Sequence, residues 1–151
     1  MSLVGSSFPW SARPEPLDVD TMDVDLAQST PRDEPEALAL ERAALARWCR
    51  GDPNGFLEIC DPEVSYFDPF VSKRIDGYAA LAAYYGGLAG QISVVAWEVI
   101  DPQVTDLGEV TLLSFRFRSW GERGAMVSWN CSEVFRRGPA GLRLFHTHWS
   151  L

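Results

Sequence analysis

One short stretch of the chain carries the residues best suited to chemistry. Residues 64–78 read VSYFDPFVSKRIDGY and place Asp68 among Tyr66 and Phe70. A carboxylate in an aromatic, water-poor setting is a candidate general base, because desolvation suits a carboxylate to proton transfer near neutral pH. Asp68 is therefore a candidate catalytic residue.

Asp68 also has a purely structural interpretation. Its carboxylate can cap the turn that begins at Pro69, or it can pair with Lys73 or Arg74. Neither role involves a ligand, so both alternatives stay open at the level of sequence.

A second carboxylate, Glu133, interrupts an apolar row. Residues 124–137 alternate with a period of two, which places Trp129 on the same strand face as Glu133. A buried carboxylate needs a partner or stays protonated, so Glu133 is either ion-paired or functional. Arg116 and Arg118 on the preceding strand are the candidate ion-pair partners.

Two histidines near the end of the chain raise the question of a metal. His146 and His148 share one strand face at i and i+2, and Asp68 would complete a three-ligand set. Spacing alone does not define a site, and we predict neither a metal nor a cofactor.

The elements that position these groups follow the order helices first, strands afterwards. The predicted helices cover residues 34–50, 54–59 and 78–88. The predicted strands cover residues 91–100, 109–120, 124–137 and 141–150. Asp33 and Glu36 resemble a capping box, Asp61-Pro62 ends the second helix, and Asp101-Pro102 separates the first two strands. This order predicts an α+β domain with about three helices on one face of a curved, mainly antiparallel sheet.

Composition indicates one domain and excludes several functions. The chain of 151 residues has a net charge of -8, most of it in residues 15–36, which hold eight acids against one base. Residues 1–32 are predicted to form an acidic, Pro- and Ser-rich arm. The domain proper is predicted to span residues 33–151. It carries no basic stripe for nucleic acid and no apolar run long enough for a membrane. Three scattered cysteines and the lack of a signal sequence predict a cytoplasmic location.

Several short motifs, in this order, resemble the SnoaL-like group of the nuclear transport factor 2 superfamily. They are Gly51-Asp52, Cys60-Asp61-Pro62, Phe67-Asp68-Pro69, Asp76-Gly77, Glu133-Val134-Phe135-Arg136-Arg137 and His146-Thr147-His148-Trp149-Ser150. The resemblance covers about residues 34–151. It implies a cystatin-like cone with a hydrophobic pocket, and a homodimer.

The resemblance also implies site residues. Ketosteroid isomerase is similar around Asp68 and Glu133, which implies that Asp68 is the base and Glu133 is the carboxylic acid of an oxyanion hole. The phenol that completes the isomerase site falls on Ala44 here, so faithful steroid isomerase chemistry is not expected. Candidate replacements for that phenol are Tyr66, Tyr84 and Tyr85. The predicted ligand-binding residues are Tyr66, Phe70, Tyr84, Arg116, Trp129, Trp149 and His148.

Two functions follow from these observations. The first is binding of a small hydrophobic ligand in the pocket, with isomerase- or cyclase-like chemistry at Asp68. The second is a non-catalytic homo-oligomerisation or interaction module, because the closing H-x-H-x-S motif at residues 146–150 is also similar to the association domain of calcium/calmodulin-dependent protein kinase II. A deep cavity lined by Asp68 and Glu133 would favour the first, and a filled cone with both carboxylates in salt bridges would favour the second.

Overall fold

The computed structural model describes residues 34–151. The predicted arm and the predicted N-cap Asp33 lie outside this range. The first helix, α1, spans Glu36–Trp48, with Pro35 at its N-cap and no side-chain cap. Its buried face is Ala37, Leu38, Glu41, Ala44, Leu45 and Trp48. One acid, Glu41, lies within this otherwise apolar face.

The second helix, α2, is short and lies against α1. It spans Asn54–Ile59 and is followed without a break by strand β1, Cys60–Phe67. The prediction that Asp61-Pro62 stops the helix is wrong, because the chain is already extended at Cys60 and Asp61-Pro62 lies within the strand.

A tight polar segment connects β1 to the third helix. Strand β2 has only two residues, Ile75–Asp76, and pairs antiparallel with β1. Helix α3 then spans Tyr78–Gly86, and Gly77 precedes it with φ 88°, a conformation that glycine adopts without steric cost.

Three of the four long strands lie close to their predicted ranges, but the first, predicted at residues 91–100, is observed at residues 96–106. The four are β3, Ala96–Asp106; β4, Val110–Trp120; β5, Met126–Gly138; and β6, Gly141–Ser150. Asp101-Pro102 does not separate β3 from β4, because it lies inside β3 at a register shift between Ile100 and Gln103. A proline is tolerated there because β3 is an edge strand and the irregularity removes the need for its missing N–H.

One sheet holds all six strands, in the order β2-β1-β6-β5-β4-β3. Neighbours are antiparallel except β1 and β6, which are parallel. The helices contribute to a single core with the inner sheet face, where Phe117, Trp129 and Phe135 are completely buried. The predicted α+β class, with three helices on a mainly antiparallel sheet, is confirmed.

The helices described are also too short or too polar to cross a membrane. No helix in residues 34–151 has the length and apolar character of a membrane span.

Candidate functional site

Asp68 lies just beyond the C-terminal end of β1 and is 6% exposed. Its Oδ1 accepts hydrogen bonds from the backbone N–H groups of Phe70 (2.7 Å) and Val71 (3.1 Å). These bonds close the turn at Pro69. The capping alternative for Asp68 is therefore correct as far as this oxygen is concerned.

The second carboxylate oxygen of Asp68 is held by two phenols. Tyr66 donates to Oδ2 at 2.8 Å from within β1, and Tyr84 donates to the same oxygen at 2.5 Å from α3. Burial, and next the neighbouring Tyr85, raises the pKa of Tyr66 well above its usual value. Burial and the bond to Asp68 raise that of Tyr84. Both phenols are consequently neutral donors at any physiological pH.

No cation pairs with Asp68 among residues 34–151. Arg74 instead binds the carboxylate of Asp76, at 2.5 Å. Asp76 follows Arg74 by only two residues, so this ion pair is local, and the partners of Asp68 are the tyrosines. The predicted pairing of Asp68 with Arg74 is wrong.

Aromatic rings surround the inner side of this carboxylate. Phe70 contacts Trp129 at a centroid distance of 6.0 Å, and Trp129 contacts Trp149 at 6.4 Å. Tyr66 contacts Tyr85 edge to face at 5.6 Å. The structure thus places Trp129 and Trp149 inside the cone and Phe70 at its rim, 39% exposed.

The interior beside Tyr66 is nearly filled. The cavity there has a volume of about 10 Å³ within which the centre of a water molecule can lie, so it holds one water molecule. Its walls are Leu45, Trp48, Phe56, Tyr66, Tyr85, Phe117 and Trp149. A larger ligand fits only if these walls move apart.

Glu133 is completely buried, as its place in an apolar row predicts. Its partners are Thr147, which donates to Oε1 at 2.8 Å, and the carboxyl group of Glu41 on α1, which is also completely buried. The donor atoms of Glu41, Cys131 and Glu133 lie within 4.8 Å of one another. Two acids and a thiol therefore meet between α1 and β5.

The pKa values of this carboxyl pair are displaced upward. Desolvation is the main cause for both groups, and for Glu41 the nearby Glu133 adds repulsion. Burial also raises the pKa of Cys131 well above its usual value, so this thiol stays protonated.

The predicted Glu133–arginine pair is wrong. Arg116 lies 3.5 Å from Asp101 and Arg118 lies 3.2 Å from Glu98, on the exposed side of the sheet. Strand alternation explains the result, since the arginines of β4 point away from the face that carries Glu133.

Arg116 and His148, both predicted to bind ligand, lie on this outer face and not with Asp68. Arg116 lines a shallow outer groove of about 280 Å³ beside Asp101. His148 is exposed and its ring contacts Phe67 at 5.3 Å. The structure therefore brings Tyr66, Tyr84 and Phe70 to Asp68 but separates Arg116 and His148 from it.

The two histidines do not assemble a three-ligand group with any acid or cysteine in the part of the chain that is described. Nδ1 of His146 is 2.7 Å from the hydroxyl of Ser65. Burial, followed by repulsion from His148, lowers the pKa of His146, so its neutral form is favoured. Asp68 lies on the other side of the sheet from this pair.

Glu41 is the site residue that the sequence interpretation missed. It lies three residues after Leu38 and four before Leu45, both in the buried row of α1. An acid at such a position is the signal that would have identified it, because helical spacing predicts that its carboxyl group is buried.

Comparison with known proteins agrees with this architecture. The SnoaL-like domain family matches residues 42–143. A candidate ketosteroid isomerase from Parabacteroides distasonis is 32% identical, with a TM-score of 0.71 over 82% of this chain and 92% of its own. No curated protein matches the chain significantly.

More distant structures share the fold alone. A nuclear transport factor 2-like protein of unknown function from Pseudomonas putida is 18% identical, with a TM-score of 0.70 over 76% of this chain and 83% of its own. A candidate calcium/calmodulin-dependent protein kinase type II association domain from Thiobacillus denitrificans is 17% identical, with a TM-score of 0.64 over 77% and 94%. The chain belongs to the SnoaL-like domain family and has the nuclear transport factor 2-like cone fold.

Proposed function

We propose that this protein binds a small hydrophobic molecule inside the cone, and that Asp68 is the general base of an isomerase- or cyclase-like reaction. The state of Asp68 carries the proposal. It is a buried carboxylate with no ion pair among residues 34–151, held by two phenols at the edge of an aromatic interior. A carboxylate neutralised by an arginine would be a much weaker base.

Ligand entry would occur at the rim formed by Phe70. This side chain is partly exposed, contacts the buried Trp129 and belongs to the segment between β1 and β2. Outward movement of residues 69–74 would uncover Trp129, whose ring contacts Trp149 in the wall of the small cavity. The proposal therefore requires this segment to move when the ligand binds.

The chemistry proposed is proton abstraction next to a carbonyl group. The ligand displaces the half-buried phenol of Tyr84 from Oδ2 of Asp68, and that oxygen takes the proton from carbon. The electron pair of the broken C–H bond moves to the carbonyl oxygen, where the freed Tyr84 phenol donates a hydrogen bond. Tyr84 would thus do the work of the phenol that is missing at Ala44.

Glu133 is the second acid of the proposed site, on the sheet side of the interior. In its neutral form, and with its contact to Glu41 opened, Glu133 would donate to the same ligand oxygen, as a buried neutral carboxylic acid does in ketosteroid isomerase. The 32% identity to a candidate ketosteroid isomerase supports this class of reaction.

Binding can be tested with cyclic enones titrated into ¹⁵N-labelled protein. We expect amide shifts at Phe70, Tyr84 and Trp129, with binding at least tenfold weaker in Asp68→Asn. Shifts confined to the outer sheet face, around Arg116, would contradict the proposal.

A second candidate function is self-association through the outer sheet face. Val110, Leu112 and Met126 are 36%, 41% and 50% exposed there, and such apolar side chains on a sheet face favour contact with a second copy. The similarity to kinase association and hub domains supports this candidate.

Light scattering over a range of concentrations tests self-association. We expect a homodimer that Leu112→Lys converts to monomer with its fold retained. A native chain that is monomeric at every concentration would contradict this candidate.

A further inference from the structure

The carboxyl groups of Glu41 and Glu133 meet in the core without a compensating cation. Both residues are 0% exposed, and their carboxyl oxygens lie within 4.8 Å of one another. None of the ion pairs formed within residues 34–151 includes either residue. Two ionised carboxylates at this separation would repel strongly in a medium of low dielectric constant.

The hydrogen-bond pattern requires a proton between them. In residues 34–151, Thr147 donates to Oε1 of Glu133, but neither oxygen of Glu41 nor Oε2 of Glu133 receives a hydrogen bond from a placed donor. A carboxylate can only accept, whereas a protonated carboxyl group also donates. One proton between the two groups makes one of these three oxygens a donor and a second its acceptor.

Among residues 34–151, the thiols and the phenol beside the pair are neutral near neutral pH and do not compensate its charge. Cys60, Cys131 and Tyr85 interact with it electrostatically, and burial raises the pKa of each, that of Cys60 to about 12. Arg143 is the cation that acts on Cys60, and its guanidinium donates to the carbonyl of Glu58.

We infer that Glu41 and Glu133 share one proton at neutral pH, and that this proton fastens α1 to the sheet behind the proposed ligand site. Leu45, one turn after Glu41 on α1, lines the small cavity, and so does Tyr85. Loss of the shared proton would separate α1 from β5 at this wall. The effect of this separation on ligand binding rests on the proposed function, but the shared proton does not.

The pair makes the protein less stable as pH rises. Its pKa is raised by folding, so the folded state holds more protons than the unfolded state above the ordinary glutamate pKa of about 4.3. Its contribution to stability is therefore complete below that pH and is lost as pH rises through the folded pKa.

Thermal unfolding of native protein, Glu41→Gln and the Glu41→Gln/Glu133→Gln double variant between pH 5 and 9 tests the inference. An amide at position 41 donates to Glu133 at any pH, because its N–H does not titrate. The difference in Tm, variant minus native protein, should therefore increase by about 4 °C or more between pH 5 and 9. Hydrogen exchange in α1, corrected for its intrinsic pH dependence, should accelerate at least tenfold with pH in native protein and not in Glu41→Gln.

Two results would overturn the inference. One is a difference in Tm that does not change with pH, and the other is a stoichiometric divalent metal in native protein, which would replace the proton. These measurements use no ligand, so their failure leaves the proposed function standing. Failure of enone binding, in turn, leaves the shared proton standing.

Discussion

Tyr84 donates a 2.5 Å hydrogen bond to Oδ2 of Asp68 and so joins α3 to the end of β1. Tyr66 donates to the same oxygen from within the strand. Oδ1 accepts from two backbone N–H groups, so within residues 34–151 each hydrogen bond to this carboxylate comes from a neutral donor.

Removal of the Tyr84 hydroxyl should destabilise the fold measurably. We expect Tyr84→Phe to lower the free energy of unfolding by about 1–2 kcal/mol, since a hydrogen bond to a charged acceptor is lost from a half-buried site. Tyr78→Phe is the matched control, because Tyr78 lies on the same helix and is 43% exposed. Equal urea unfolding curves for the two variants would refute the structural role of this bond.

Two glycines should respond oppositely to alanine. A Cβ on Gly55 would lie 2.9 Å from Cβ of Arg47, where α2 approaches α1, so Gly55→Ala should destabilise by about 1–3 kcal/mol. Gly86, the last residue of α3, has nothing within 4 Å of such a Cβ. Gly86→Ala should therefore stabilise by up to about 1 kcal/mol. Changes in Tm of the same sign for the two variants would contradict the packing described.

The ion pair between Arg136 and Asp61 should make the stability of the fold depend on pH in the acidic range. Two bonds of 2.7 and 3.2 Å join them. Burial raises the pKa of Asp61, but hydrogen bonds from the Glu63 N–H and from Arg136 outweigh it, so the pKa is lowered on balance. Stability from this carboxylate is present above the unfolded aspartate pKa of about 3.9 and is lost as pH falls through the folded value.

Arg136→Met should therefore lower the Tm modestly at pH 7, because the arginine is partly exposed and its ion pair is screened by solvent. The difference from native protein should shrink toward pH 3. A decrease that is the same at both pH values would show that the loss arises from packing against Phe145, whose ring lies 4.3 Å from the guanidinium carbon, and not from charge.

The fold was predicted from the sequence more accurately than the contacts within the site. Period-two alternation placed Glu133 and Trp129 correctly in the core, because a strand face is fixed by local geometry. The partner of Glu133 depends on how α1 lies across the sheet, which local periodicity does not encode, and for this reason an arginine was predicted where Glu41 lies.

The misplaced boundaries have similar causes. Asp101-Pro102 has the composition of a turn, but an irregular edge strand accommodates the same residues. Strand β2, Ile75–Asp76, is too short to show any periodicity. Asp68 itself was found from its aromatic neighbours, whereas the bond to Tyr84 spans 16 residues and depends on the packing of α3.

The central claim, that Asp68 is a general base, is tested most directly by deuterium exchange. The measurement is the rate at which a small β,γ-unsaturated cyclic ketone takes up deuterium next to its carbonyl group in D₂O, followed by ¹H NMR. We predict exchange catalysed by native protein and by Asp101→Asn, whose aspartate is exposed, and a loss of at least a hundredfold in folded Asp68→Asn. Equal exchange rates in native protein and a folded Asp68→Asn variant would contradict the account.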